Sequence, residues 1–184
     1  MQHESKISGS MRIKIGTFTY SLNRVMDMKK QAWKTYAFWI LFTEAVGLLA
    51  GLLTRRATEI TGSAIVKPPL SPPAVVFPIV WTVLYALMGI GAARVFLTEA
   101  SPARTHSLRI YLIQLAFNFF WSILFFNLQA FGFAFFWLVI LWALIVWMTM
   151  DFYELDRAAG LLQIPYLLWV LFAGYLNYGV WKLN

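Results

Sequence analysis

Five long apolar stretches divided by short polar interruptions make up most of the chain. They run from about Trp33 to Leu53, Ala74 to Leu97, Leu108 to Leu128, Phe131 to Met150 and Ala158 to Val180. A hydrocarbon core about 30 Å thick is crossed by roughly 20 apolar residues in a helix, and each stretch meets that length. Strands of a membrane barrel would alternate apolar and polar residues. The stretch from Phe131 to Met150 does not alternate, and only a helix satisfies its own backbone along such a run in lipid. The pattern therefore predicts an all-α integral membrane protein, a bundle of five transmembrane helices over residues 33–184.

The connections are short except for residues 54–73, which contain Lys67-Pro68-Pro69-Leu70-Ser71-Pro72-Pro73. Prolines fix φ and remove donors, so this loop is expected to be extended and stiff. Residues 1–32 form a basic tail without the apolar core of a signal peptide. Ile15, Phe18, Leu22 and Val25 fall at helical spacing there, which suits either a helix lying on the membrane surface or a disordered tail.

Composition agrees with this pattern. The 184 residues are 60% hydrophobic and 12% charged, against about 25% charged in a soluble domain. The absence of cysteine excludes disulfides and thiolate chemistry. The histidines, His3 and His106, fall in a tail and a loop, which argues against a metal site. The net charge of +7 does not point to nucleic acid. Seven of the bases precede or abut the first apolar run, an asymmetry that places the amino terminus in the cytoplasm and attracts anionic headgroups.

Candidate chemistry lies inside the spans. Glu44 falls near the middle of the first, where a carboxyl is either functional or protonated and hydrogen-bonded to a neighbouring helix. Gly47 and Gly51 form a small-xxx-small pair that suits close helix packing. Trp33, Trp39 and Trp181 lie near predicted helix ends, as interfacial aromatics do. Trp81, Trp121 and Trp169 fit that less easily. Trp81 precedes Tyr85 by four; Asn118 precedes Trp121 by three and Phe125 by seven; Trp169 precedes Ala173 by four and Asn177 by eight. Each set shares a helix face. The three stripes are either ordinary bundle packing or an aromatic cavity suited to a flat ligand. Leu176, Tyr178 and Lys182 match a proposed sterol-contact pattern that is common by chance. No phosphate loop, nucleophile elbow or paired carboxylates are evident.

Three blocks carry a family resemblance. The first is Lys67-Pro68, Ser71-Pro72-Pro73, Val76-Phe77-Pro78-Ile79-Val80-Trp81-Thr82, Leu84-Tyr85 and Met88-Gly89. The second is Gln114-Leu115-Ala116-Phe117-Asn118, Trp121 and Phe125-Phe126. The third is Pro165-Tyr166-Leu167-Leu168-Trp169, Ala173, Leu176-Asn177 and Trp181. In order and position they resemble the TspO/translocator protein family, over about residues 36–184. The resemblance implies a five-helix bundle, commonly a homodimer, that binds porphyrins such as protoporphyrin IX, and in many members sterols, with no cofactor required. It implies ligand-binding roles for Trp81, Tyr85, Asn118, Trp121, Trp169, Ala173 and Leu176, with Pro72 and Pro73 shaping the mouth; Asn177 is a further polar contact. The function implied is that of a membrane receptor or sensor. The alternatives are an enzyme of light-dependent porphyrin breakdown using Trp81 and Trp169, or a porphyrin or sterol transporter. A bacterial cytoplasmic membrane is the expected location. Many members carry a Trp-Tyr pair before the Lys-Pro and an aromatic within the proline loop, where this chain has Thr61-Gly62 and Leu70.

Overall fold

The computed structural model describes the backbone from Gln2 to Asn184, and side chains from Lys30 onward apart from Ser63. Two units are present, Met1–Thr35 and Tyr36–Asn184. The side chains of Ile15, Phe18, Leu22 and Val25 lie outside the described residues.

The elements are α1 (Gln2–Ala64), α2 (Val76–Phe96), α3 (Pro102–Ser122), α4 (Phe131–Leu155), a short α5 (Arg157–Leu161) and α6 (Ile164–Leu183). Among the described residues five helical segments are long and apolar enough to cross a membrane: Lys30–Gly62, Val76–Phe96, Pro102–Asn127, Phe131–Leu155 and Arg157–Leu183. The five expected spans are therefore present, and the protein is an integral membrane helix bundle. Helix α4 packs against α3 and α6, and α2 against α3, α5 and α6.

In an apolar solvent the inward face is not marked by hydrophobicity, because lipid tails are as apolar as leucine. Helix α1 shows what marks it instead. Its buried stripe is Trp39, Thr43, Ala50, Thr54 and Thr61, while Leu41, Leu48, Leu52 and Leu53 are exposed. The threonines satisfy their own hydroxyls: Thr43 donates to Trp39 O at 2.7 Å and Thr54 to Ala50 O at 2.8 Å. Helix α1 meets its neighbours through Thr43, paired with the Tyr111 hydroxyl of α3, and through Gly89 of α2. A Cβ at Gly89 would lie 2.7 Å from Ile40 Cα, so the two backbones touch there.

Several boundaries differ from the sequence expectation. Helix α1 continues past Thr54-Arg55-Arg56 to Ala64, and the loop is 65–75 rather than 54–73. Charge ends the apolar run but not the hydrogen-bond ladder. Arg55 and Arg56 stay exposed, while Thr61 turns inward and accepts from Gln129 Nε2 at 3.0 Å. That bond docks the end of α1 on the α3–α4 turn. Helix α3 begins at Pro102 because Ser101 caps it, accepting from Arg104 N at 3.1 Å.

The α3–α4 turn opens with a π-helical segment, Ile123–Asn127, in which Leu128 N donates to Ile123 O at 3.1 Å. At the opposite end, Arg94 of α2 donates to both carboxylate oxygens of Asp156, at 3.0 and 2.8 Å. Asp156 also accepts from Ala159 N at 2.8 Å, capping α5. The hydrogen bonds from Arg94 hold the Asp156 carboxyl below its ordinary range.

Candidate functional site

A chain of buried polar side chains crosses the bundle between α2, α3 and α6. Tyr85 Oη donates to Asn118 Oδ1 at 2.7 Å. Asn118 Nδ2 donates to Tyr166 Oη at 2.9 Å. Tyr166 Oη in turn donates to Gln114 Oε1 at 2.9 Å. Each member is nearly or fully buried, so each bond replaces one that water cannot supply. The Tyr85 ring needs room on α1, and Gly47 provides it: a Cβ there would come within 2.1 Å of Tyr85 Cε2. Gly51, by contrast, faces open space. The small-xxx-small pair is thus a notch for one aromatic ring, and the close helix approach belongs to Gly89.

Aromatic rings surround this chain. Trp81 stacks on Tyr85 with centroids 5.4 Å apart and meets Tyr166 edge-on at 6.2 Å. Trp169 meets Phe77 edge-on at 5.9 Å. Its indole nitrogen is buried with no hydrogen-bond partner, although the side chain as a whole is only half-buried. Buried indole N–H groups ordinarily find acceptors. Trp137 and Trp142 conform, donating to Phe117 O at 2.8 Å and Leu167 O at 3.2 Å.

A second node lies next to the first. Trp121 Nε1 donates to Asn177 Oδ1 at 3.1 Å, and Asn177 Nδ2 donates to Phe131 O at 2.8 Å. The Trp121 ring stacks on Phe125 of the π-helical turn at 5.4 Å and packs against both buried apolar clusters of the bundle. Ala173 is buried between the nodes on α6, and Leu176 is half-buried one turn before Val180.

The structure thus joins Trp81, Tyr85 and Asn118 in one group and Trp121 and Asn177 in another. Pro72 is half-buried and Pro73 exposed in the loop; Pro73 O accepts from Val76 N at 3.0 Å, opening α2. Glu44 is half-buried beside Thr43. Spacing alone did not single out Tyr166 or Gln114 as members of the polar chain. Their signal is composition: a tyrosine and a glutamine within otherwise apolar spans. An apolar groove of about 410 Å³ lies elsewhere, between α4 and α6, lined by Leu138, Trp142, Val170, Gly174 and Tyr178 among others. The surface it presents is almost wholly apolar, so little there could orient a ligand.

Residues 20–182 match the family model described as the TspO/MBR family. The tryptophan-rich protein TspO of Chlorobaculum tepidum is 35% identical over 151 residues, 82% of this chain and 96% of its own length. The translocator protein of Bos taurus is 30% identical over 154 residues, 83% of this chain and 91% of its own. Protein CrtK of Rhodobacter capsulatus is 37% identical over 119 residues, 64% of this chain and 74% of its own. With a match spanning nearly the whole described bundle and its motifs on α2, α3 and α6, the chain belongs to the TspO/MBR family.

Proposed function

We propose that this protein is a membrane receptor for a flat, apolar macrocycle of the porphyrin type, bound among Trp81, Tyr85, Asn118, Trp121, Trp169, Ala173, Leu176 and Asn177. The supporting observation is the buried, unpartnered indole N–H of Trp169, whose ring meets Phe77 edge-on and packs, as Trp81 does, against the core that holds Tyr85 and Tyr166. An orphaned donor costs about 1–3 kcal/mol. A ligand bearing a carboxylate, carbonyl or ring nitrogen relieves that cost, and aromatic faces supply the apolar contact. A sterol would find the apolar surface but offers only a hydroxyl to the donor.

In the observed arrangement Trp81, Tyr85 and Tyr166 pack on one another. Admission of a macrocycle therefore requires the half-buried indoles to swing out of their stacks. Asn118 is fixed by two partners and acts as the anchor against which they move.

Titration of detergent-purified protein with protoporphyrin IX, read by tryptophan fluorescence, tests the proposal. The expected result is saturable quenching. Trp169→Phe should weaken affinity about tenfold, equivalent to about 1.4 kcal/mol for one donor. Folded protein that shows no saturable quenching would overturn the reading.

A further inference from the structure

The apolar groove between α4 and α6 lies apart from the aromatic site. Leu138, Val139 and Trp142 of α4 face Val170, Leu171 and Gly174 of α6 across it, and none of the residues proposed to hold the porphyrin lines it. The eight helical steps from Val170 to Tyr178, at about 1.5 Å each, cover about 12 Å. One leaflet of a hydrocarbon core about 30 Å thick is about 15 Å deep. The groove is therefore close in length to the acyl layer of a single leaflet. Its floor is narrow, since a Cβ at Gly174 would lie 3.3 Å from Leu138 Cδ2. The Trp142 indole N–H is taken by Leu167 O at 3.2 Å, so it holds nothing polar in the groove.

The rim at the end of α6 is different. Tyr178 lines the groove, and Lys182 follows it by four residues on the same helix face. Lys182 Nζ lies 5.6 Å from the Tyr178 ring centroid and 4.4 Å from that of Trp181. No carboxylate pairs with this ammonium among the described residues. The Tyr178 ring is held by Phe135 at 5.4 Å and by Trp181 at 6.1 Å. Its hydroxyl makes no hydrogen bond among the described residues, and the side chain is exposed. The groove thus runs toward the end of α6 and finishes in a cation and a free phenol donor. Leu176, which the sterol-contact pattern groups with Tyr178 and Lys182, does not line the groove.

We propose that this groove is a binding site for one anionic phospholipid, with an acyl chain lying in the groove and the phosphate on Lys182 and Tyr178. Apolar contact alone does not select a lipid here, because the chain leaves one hydrocarbon medium for another. The groove fixes where the chain lies, and the headgroup supplies the selectivity. Lys182 offers an ammonium and Tyr178 a hydroxyl donor to phosphate oxygens. A zwitterionic lipid carries its own cation beside the phosphate, which competes with Lys182. A sterol presents a neutral hydroxyl and gains nothing from the ammonium. The site stands independently of the receptor reading, since it shares no residue with the aromatic group.

Native mass spectrometry of the detergent-purified protein tests the site, with phosphatidylglycerol and phosphatidylcholine of identical chains as the probes. Wild type should hold one phosphatidylglycerol about fivefold more tightly than phosphatidylcholine, the equivalent of about 1 kcal/mol for one lysine at an anionic headgroup. Lys182→Ala should remove that preference, and Lys182→Arg should keep most of it. Val139→Trp and Leu171→Trp fill the groove from exposed positions, so these variants are expected to fold and to bind both lipids more weakly. Equal binding of the two lipids by wild type, or a preference that survives Lys182→Ala, would overturn the proposal. An adduct indifferent to both tryptophan substitutions would mark it as annular lipid only and would overturn it too.

A second measurement needs no variant. Wild type in vesicles is photo-cross-linked to a phosphatidylglycerol carrying a diazirine in its acyl chain, and the labelled peptides are identified. Label should concentrate on α4 and α6 around Val139 and Leu171, and excess phosphatidylglycerol should suppress it more than phosphatidylcholine does. Label spread evenly over every lipid-facing helix would overturn the site. Cholesterol and protoporphyrin IX, added as competitors, should leave the label in place. Suppression by cholesterol would make the groove a sterol site, and suppression by protoporphyrin IX a porphyrin site; either would overturn the assignment. Failure of protoporphyrin IX to quench tryptophan fluorescence would overturn the receptor reading alone and leave the lipid site standing.

Discussion

Asn118 offers the most quantitative handle on the bundle. It is 1% exposed and holds two hydrogen bonds, from Tyr85 Oη at 2.7 Å and to Tyr166 Oη at 2.9 Å. Asn118→Leu removes both with a side chain of the same heavy-atom count and branching. Tyr166 keeps Gln114 as its acceptor, but the Tyr85 hydroxyl is left buried without one. An orphaned buried donor costs about 1–3 kcal/mol, and interhelical hydrogen bonds in membranes reach about 1.7 kcal/mol. A loss of about 1–2 kcal/mol is therefore expected for Asn118→Leu. Tyr85→Phe removes the stranded hydroxyl, so adding it to Asn118→Leu should restore part of that loss. Unfolding in mixed micelles, followed by circular dichroism, closes the double-mutant cycle. The expected coupling between positions 85 and 118 is about 0.6–1.7 kcal/mol. Additivity within about 0.3 kcal/mol would refute the claim that these residues form one energetic unit.

Gly47→Ala should destabilise the bundle by about 1–3 kcal/mol, because the new methyl meets the Tyr85 ring and overpacks it, whereas Gly51→Ala, facing open space, should be neutral or stabilising in the same assay. The Asp156 carboxyl is held low by Arg94, so its contribution is present above the ordinary aspartate value of about 3.9 and lost as pH falls through the lower folded value. Unfolding midpoints of wild type should therefore drop over that acid window, with a shallower drop in Asp156→Asn; parallel curves would contradict the assignment. Under illumination the receptor reading expects bound protoporphyrin IX to disappear no faster than in a protein-free control. Faster loss, abolished by combining Trp81→Phe with Trp169→Phe, would establish the photochemical alternative.

The spans were legible from apolar length alone, because the bilayer fixes how much chain a crossing helix needs. Their ends were less legible. At Arg55 and Arg56 the charges mark where the apolar environment stops, yet the helix continues to Ala64, since a helix outside lipid needs no apolar side chains. The facing of each span was hidden for a related reason. With leucines outward on α1 and threonines inward, the usual hydrophobic stripe is inverted. The signal sits in the rare polar residues, among them Thr43, Gln114, Asn118 and Asn177. Spacing placed Trp81 with Tyr85 on a common face, and the two rings stack; it also grouped Asn118 with Trp121, whose hydrogen bonds belong to two separate nodes. It did not pair Trp121 with Asn177 or Asn118 with Tyr166, since contacts between helices depend on packing that no single-span periodicity encodes. Nor did it distinguish Gly47, a notch for a ring, from Gly89, where two backbones touch.

The central claim is that a planar ligand enters the aromatic group beside Trp169 and satisfies its indole donor. The indole ¹H–¹⁵N resonances of the protein, assigned through Trp→Phe variants and recorded during titration with protoporphyrin IX, test this most directly. The account predicts that the Trp169 signal moves strongly downfield at saturation, while those of Trp137 and Trp142, already bonded to carbonyls, barely move. Saturable binding with an unmoved Trp169 resonance would contradict it.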